Sequence, residues 1–189
     1  MGHEVDRVLI ERDRIAQRVR EMGRRLAVDL ERDLAGEGHE GHDHPDRVVL
    51  VPVLTGAMVF GADLIREMPV RMSIRLVAVS SYPGEATRSV GARLRSALPP
   101  DLAGRHVVIV DDILDSGQTL ALLEEMVMEQ GPASFRACVL LRKDVARKAE
   151  PTVEYVGFDI PDEFVVGYGL DYNGFYRNLP DIVTLREVK

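Results

Sequence analysis

Three aspartates within five residues, Asp111, Asp112 and Asp115, are followed directly by Ser116-Gly117-Gln118-Thr119. The small residues of that turn leave backbone N–H groups free to point at one anion. Leu120 to Met128 then reads as a helix. A turn that opens a helix brings orphan amides and the positive end of the helix dipole to one place, the geometry that holds a phosphate. A phosphate cradle alone has no use for three carboxylates. They make sense if the ligand also carries hydroxyls and a hard divalent cation, which takes carboxylate and substrate oxygens together.

Ahead of the acids runs Val107-Val108-Ile109-Val110, the apolar, β-branched run expected of a buried parallel strand. A second such run lies at 47–54 and leads through Thr55-Gly56-Ala57 into a helix expected over 58–68, then a strand over 72–80. Strand, helix, strand in that order implies a right-handed parallel crossover. Upstream, Val8-Leu9-Ile10 suits an edge strand, and Ile15, Val19, Met22 and Leu26 recur at helical spacing, which predicts a helix over about 11–34. A further strand is expected over 134–141. Short apolar runs split by Gly, Pro and Asp over 153–185 read as a small subdomain capping the sheet. Residues 81–105, rich in Gly and Pro, read as a long functional loop that is mobile without substrates. The stretch holding His39, His42 and His44 is broken by glycines and Pro45, so it reads as a surface loop that fixes no metal ligands.

The chain has 189 residues, enough for one domain with a sizeable core. Its net charge of −7 argues against a protein held to nucleic acid by phosphate contacts. No apolar run is long enough to span a membrane. The N-terminus is charged rather than signal-like, and the single cysteine, Cys138, sits in an apolar run as a buried thiol would. Both fit a cytoplasmic protein.

The strand, acid pair and Asp-Ser-Gly-x-Thr turn of residues 107–119 resemble the phosphoribosyl pyrophosphate signature of the type I phosphoribosyltransferases. The stretch from Val156-Gly157-Phe158-Asp159-Ile160-Pro161 through Phe164-Val165-Val166-Gly167-Tyr168 to Asp171-Tyr172-Asn173 looks like the base-binding hood of the hypoxanthine-guanine members. Leu140-Leu141-Arg142-Lys143, Phe175-Tyr176-Arg177 and Ser80-Ser81-Tyr82 fit the same family. The resemblance implies an α/β fold: a parallel sheet with flanking helices (core about 47–142) and a small hood over the base site, made by about 143–189 and the N-terminal segment.

It also implies transfer of the 5-phosphoribosyl group from phosphoribosyl pyrophosphate to hypoxanthine or guanine, giving IMP or GMP and pyrophosphate. Asp115, Ser116, Gly117, Gln118 and Thr119 would hold the 5-phosphate. Asp111 and Asp112 would meet the ribose hydroxyls and a Mg²⁺, and Asp171 a second Mg²⁺. Leu54, Thr55, Gly56, Ser81, Tyr82 and Arg177 would contact the pyrophosphate, with a cis or strained Leu54–Thr55 peptide. Ile113, Lys143, Phe164, Val165 and Asp171 would enclose the purine, Lys143 facing its 6-oxo oxygen. Asp115 would take the N7 proton. The partners implied are phosphoribosyl pyrophosphate and a 6-oxopurine, with a homodimer or homotetramer expected and no nucleic acid or membrane. Three positions depart from the family pattern: Thr55 where a basic residue is common, Gln118 for Lys or Arg, and Asp111 for Glu. A regulatory RNA-binding protein of the same fold would share the acid pair and turn, yet it should carry a basic face and lack the hood.

Overall fold

Val48, Leu50, Val108, Val110, Cys138 and Leu140 bury into one apolar cluster, while Val49, Val51, Val53, Val107, Ile109 and Val139 bury into another. That division between alternate residues is what strands covered on both faces must show. The computed structural model describes residues 2–36, 47–80, 93–94 and 97–188. In chain order its elements are β1 (Gly2–Ile10), α1 (Arg12–Gly36), β2 (Val48–Leu54), α2 (Ala57–Arg66), β3 (Ser73–Ile74), β4 (Val77–Ser80) and β5 (Arg93–Leu94). They continue with β6 (His106–Leu114), α3 (Gln118–Met128), β7 (Ser134–Lys143), β8 (Tyr155–Ile160), β9 (Val165–Val166) and β10 (Ile182–Val188).

The larger sheet has the order β5-β4-β2-β6-β7-β8, with β3 also paired to β2. All its pairings are parallel except that of β5 with β4. Residues of α1 and α2 share one cluster and residues of α3 the other, so helices flank both faces. Complete burial of a Val, Leu or Ile side chain stabilises by about 1.5–3 kcal/mol, so these runs outweigh any surface ion pair in holding the frame. The smaller sheet, β1-β10-β9, is antiparallel. It forms the hood. Polar links tie it to the rest: Arg12 N donates to Asp181 Oδ1 at 2.8 Å at the start of α1, and the Tyr168 hydroxyl donates to Asp63 on α2 at 2.7 Å. The Arg12 amide and side chain hold the Asp181 carboxyl below the usual carboxylate range.

The parallel sheet and flanking helices agree with expectation, as do α1, α2, β2 and the signature strand to within a few residues. Three details differ. The strand expected over 72–80 is two short ones, β3 and β4, separated by Arg75 and Leu76, although Arg75 N still donates to Leu50 O of β2 at 2.9 Å. The Arg75 side chain reaches Asp101 at 3.2 Å and Leu76 is exposed. The region read as a cap from 153 onward begins with β8, which belongs to the large sheet, paired to β7 from Cys138 opposite Tyr155 to Lys143 opposite Ile160. The parallel sheet therefore extends past residue 142, and the hood strands proper are β1, β9 and β10. The far end of the expected loop is packed: Leu98 and Leu102 are buried in the core. Residues 37–46, with the three histidines, and 81–92, with Ser81 and Tyr82, lie outside the described residues.

Candidate active site

The carboxyl ends of β2, β6 and β7 open on one side of the sheet, where ligands of open α/β folds bind. At the end of β2 the Leu54–Thr55 peptide is cis. Gly56 follows, and a Cβ there would stand 1.7 Å from Asp112 Oδ2. Any larger residue there would displace the Asp112 carboxylate. At the end of β6, Asp111 and Asp112 are still in the ladder. Asp112 N donates to Asp111 Oδ1 at 3.0 Å, and Ile113 N to Asp112 Oδ1 at 2.9 Å. Burial pushes both carboxyls above the ordinary range, Asp111 furthest because the Asp112 charge adds to it. At Asp112 the hydrogen bonds with Asp111 and from the Ile113 amide oppose the rise, and the Arg177 guanidinium adds to them.

The turn after the acids is built for an anion. Gly117 caps α3 with φ +77°, in the left-handed region, and no side chain caps the helix amides. A Cβ on Gly117 would lie 2.0 Å from the Ala149 carbonyl oxygen. The amides of Lys148 and Ala149 donate to Ser116 O at 3.1 and 3.2 Å, bracing the turn from behind. No acidic residue lies in the first turn of α3, so its positive end faces the opening uncompensated.

These pieces line one cavity of about 640 Å³. Leu54, Thr55 and Gly56 contribute one wall; Asp111 to Gly117 with Thr119 form the floor; Asp171 and Arg177 reach in from the hood segment. Arg177 and Asp171 pair with each other at 2.6 Å, and Arg177 Nη1 donates to the Gly169 carbonyl at 2.5 Å. Asp171 also accepts from Gly174 N at 2.7 Å. Gln118, expected in the phosphate turn, opens α3 but is not part of the cavity lining.

The base-side residues are arranged differently. Lys143, at the end of β7, does not line that cavity; it lies on a neighbouring recess of about 600 Å³ with Arg142, Asp144, Arg147, Asp159, Ile160 and Pro161. Its Nζ nonetheless comes within 3.5 Å of Asp115 Oδ2, at the margin of the main cavity. Phe164 is 52% exposed and meets the Tyr172 ring edge-on, with centroids 5.6 Å apart. Val165 is buried in β9, opposite Thr184 of β10.

Two participants carried no role in the sequence reading. Asp162 accepts from Lys143 Nζ at 3.1 Å. Gly169, at φ +102°, lets the hood approach the β2 loop: a Cβ there would stand 2.3 Å from Gly56 O. The Gly-Tyr-Gly run of residues 167–169 was visible, but the surface it meets, over a hundred positions earlier, was not.

The adjacent carboxylates, Asp111 buried and Asp112 partly so, suit a hard divalent cation, since each is driven toward its neutral form and a cation would relieve both desolvation and mutual repulsion. Asp171 stands apart from the pair, and among the described residues no group of three or more His, Cys, Asp or Glu converges on one point. Protein ligands would thus supply only part of such an ion's shell, with substrate oxygens and water supplying the rest.

Residues 24–173 match the phosphoribosyl transferase domain family. The chain is 43% identical to the hypoxanthine-guanine phosphoribosyltransferase of Mycobacterium avium, over 96% of this chain and 86% of that protein. It is 38% identical to the hypoxanthine phosphoribosyltransferase of Salmonella typhimurium, over 95% of this chain and 94% of the relative. Among solved structures, a hypoxanthine-guanine phosphoribosyltransferase from Bacillus anthracis superposes with a TM-score of 0.80 at 36% identity, covering 98% of this chain and all of the other. A hypoxanthine phosphoribosyltransferase from Trypanosoma cruzi does so with a TM-score of 0.84 at 36% identity, over 96% and 92% of the two chains.

Proposed function

From the premise that the chain belongs to the phosphoribosyltransferase family, we propose that its reaction is purine salvage: transfer of the 5-phosphoribosyl group of phosphoribosyl pyrophosphate to hypoxanthine or guanine, with IMP or GMP and pyrophosphate as products. One observation carries the residue roles. A braced, uncapped helix terminus and an acid pair share the floor of one cavity that Arg177 also lines.

In this reading the amides of Ser116 to Thr119 and the hydroxyls of Ser116 and Thr119 bind the 5-phosphate. Asp111 and Asp112 accept from the ribose 2- and 3-hydroxyls. Thr55, Gly56 and Arg177 face the pyrophosphate, Arg177 turning from Asp171 to a bidentate hold on phosphate oxygens. Asp111 and Asp112, with Asp171 on the other side, are the side chains that would hold Mg²⁺. When bound, Mg²⁺ neutralises charge on the pyrophosphate leaving group. Ile113 and Phe164 enclose the purine ring and the Val165 backbone reads its edge. Lys143 donates to the 6-oxo oxygen, and Asp115 takes the proton from N7 as N9 attacks the anomeric carbon and the bond from that carbon to the pyrophosphate oxygen breaks. Ser81 and Tyr82 belong to the loop that would exclude water from an oxocarbenium-like transition state.

We also propose a homodimer or homotetramer. Exposed Met58, Ile74 and Leu76 are apolar side chains that a subunit contact would cover, and sedimentation velocity tests it. A cytoplasmic location completes the reading. Among the described residues no helix is long and apolar enough to cross a membrane.

The test is a panel of hypoxanthine, guanine, xanthine and adenine assayed with phosphoribosyl pyrophosphate and Mg²⁺. Lys143 offers only donors, so adenine's 6-amino group would face it donor to donor. Leaving a charged donor unpaired should cost adenine at least about tenfold in kcat/KM. Backbone carbonyls near Val165 and Asp171 accept from guanine's 2-amino group and repel the 2-oxo group of xanthine, which should be the weaker substrate. Adenine used as well as hypoxanthine would remove Lys143 from the base site.

A further inference from the structure

Lys143 is held between two carboxylates, Asp162 Oδ1 at 3.1 Å and Asp115 Oδ2 at 3.5 Å. Its side chain is only 12% exposed, whereas Asp162 is 66% exposed and touches the lysine from the hood turn. That turn is fixed on both sides of Asp162. Asp144 N donates to Ile160 O at 2.9 Å and Glu163 N to Pro161 O at 2.8 Å, while the Glu163 carboxylate meets Arg7 of β1 at 2.6 Å. Asp162 is thus presented to the ammonium by a framed segment.

An ammonium has three donors and no acceptor. Asp162 takes one of the Lys143 donors and Asp115 stands at ion-pair distance from the same nitrogen, so even with both engaged a third donor is left for a ligand. Without Asp162 the nearest counter-charge is Asp115, and the ammonium would swing onto it, away from the ligand. We propose that Asp162 is a positioning residue for base selection: it holds Lys143 off Asp115, so that one N–H stays aimed at a 6-oxo oxygen. The inference rests on the proposed 6-oxopurine activity, and it assigns a role to a side chain that need not touch substrate.

The test measures dissociation constants of IMP and AMP, with KM for hypoxanthine and for phosphoribosyl pyrophosphate, in the unaltered protein, Asp162→Ala and Asp162→Glu. Because the pair is solvent-exposed on the aspartate side, the expected effect is modest: IMP binding weakened and hypoxanthine KM raised by about fivefold in Asp162→Ala. AMP affinity and phosphoribosyl pyrophosphate KM should stay put, and Asp162→Glu should recover most of the loss. Equal weakening of IMP and AMP, or no change in either, overturns the positioning role while a preference of the unaltered protein for IMP leaves the 6-oxopurine reading standing. An unaltered protein that binds AMP as well as IMP overturns both.

Discussion

The two halves of the molecule differ in how much of each is buried. The parallel sheet is apolar on both faces, and Val107 to Val110 are fully buried. The hood sheet faces water on one side, where Val5 and Val8 of β1 are 45% and 50% exposed; on the other, Ile10, Val165 and Ile182 join the core cluster of α1 and α2, and Arg12–Asp181 and Tyr168–Asp63 add polar links. The phosphate turn and acid pair grow from the stiff half. Of the residues proposed to read the base, Phe164 and Val165 belong to the hood and Lys143 is held by Asp162 of its turn, while Ile113 stands on β6.

The sharpest way to break this division is at Asp115, which belongs to the stiff half but faces the base. Asp115→Asn should lower turnover by about 10²–10⁴-fold while phosphoribosyl pyrophosphate KM holds. Unchanged turnover in steady-state assays would remove its role as base.

A matched pair of truncations compares the halves directly. Ile109→Ala, inside the sheet, should destabilise by about 2–5 kcal/mol, because the cavity it leaves is walled by other strands. Val8→Ala on the exposed hood face should change stability by no more than about 0.5 kcal/mol. Denaturant midpoints of the two variants measure the contrast, and similar losses would refute it.

The smallest effect concerns the joint. Burial and the Asp63 carboxylate raise the Tyr168 hydroxyl above its ordinary pKa of 10.0. A group whose folded pKa exceeds its unfolded value contributes stability that is complete below the unfolded pKa and is lost as pH rises beyond it. The hood joint should therefore weaken above about pH 10. Tyr168→Phe should lower Tm at neutral pH and flatten its fall above pH 10. Parallel Tm–pH curves for the two proteins would show that the hydroxyl does not hold the joint.

Much of the stiff half was legible in sequence because its signals are local. Val107 to Val110 next to two acids and a Gly-containing turn need no distant partner to be read. The break between β3 and β4 at Arg75 and Leu76 was not legible, since nothing in the local pattern of residues 72–80 marks it. The membership of Tyr155–Ile160 in the large sheet was hidden for a related reason. A parallel pairing is set by register, and Gly157 is needed because a Cβ would stand 2.4 Å from Leu140 O, a contact no periodicity announces. Within the site, the aspartates could be named from their spacing. The hold of Asp162 on Lys143 could not, since nothing local pairs two residues 19 positions apart.

β1 and β10 pair along their whole length, with Gly2 opposite Val188. During synthesis β1 therefore waits for β10. The parallel sheet needs nothing later than Ile160 for its strands, so it can assemble while β10 is still being made. The turn at 115–119 and the acid pair thus belong to the part of the chain made before the hood sheet can close.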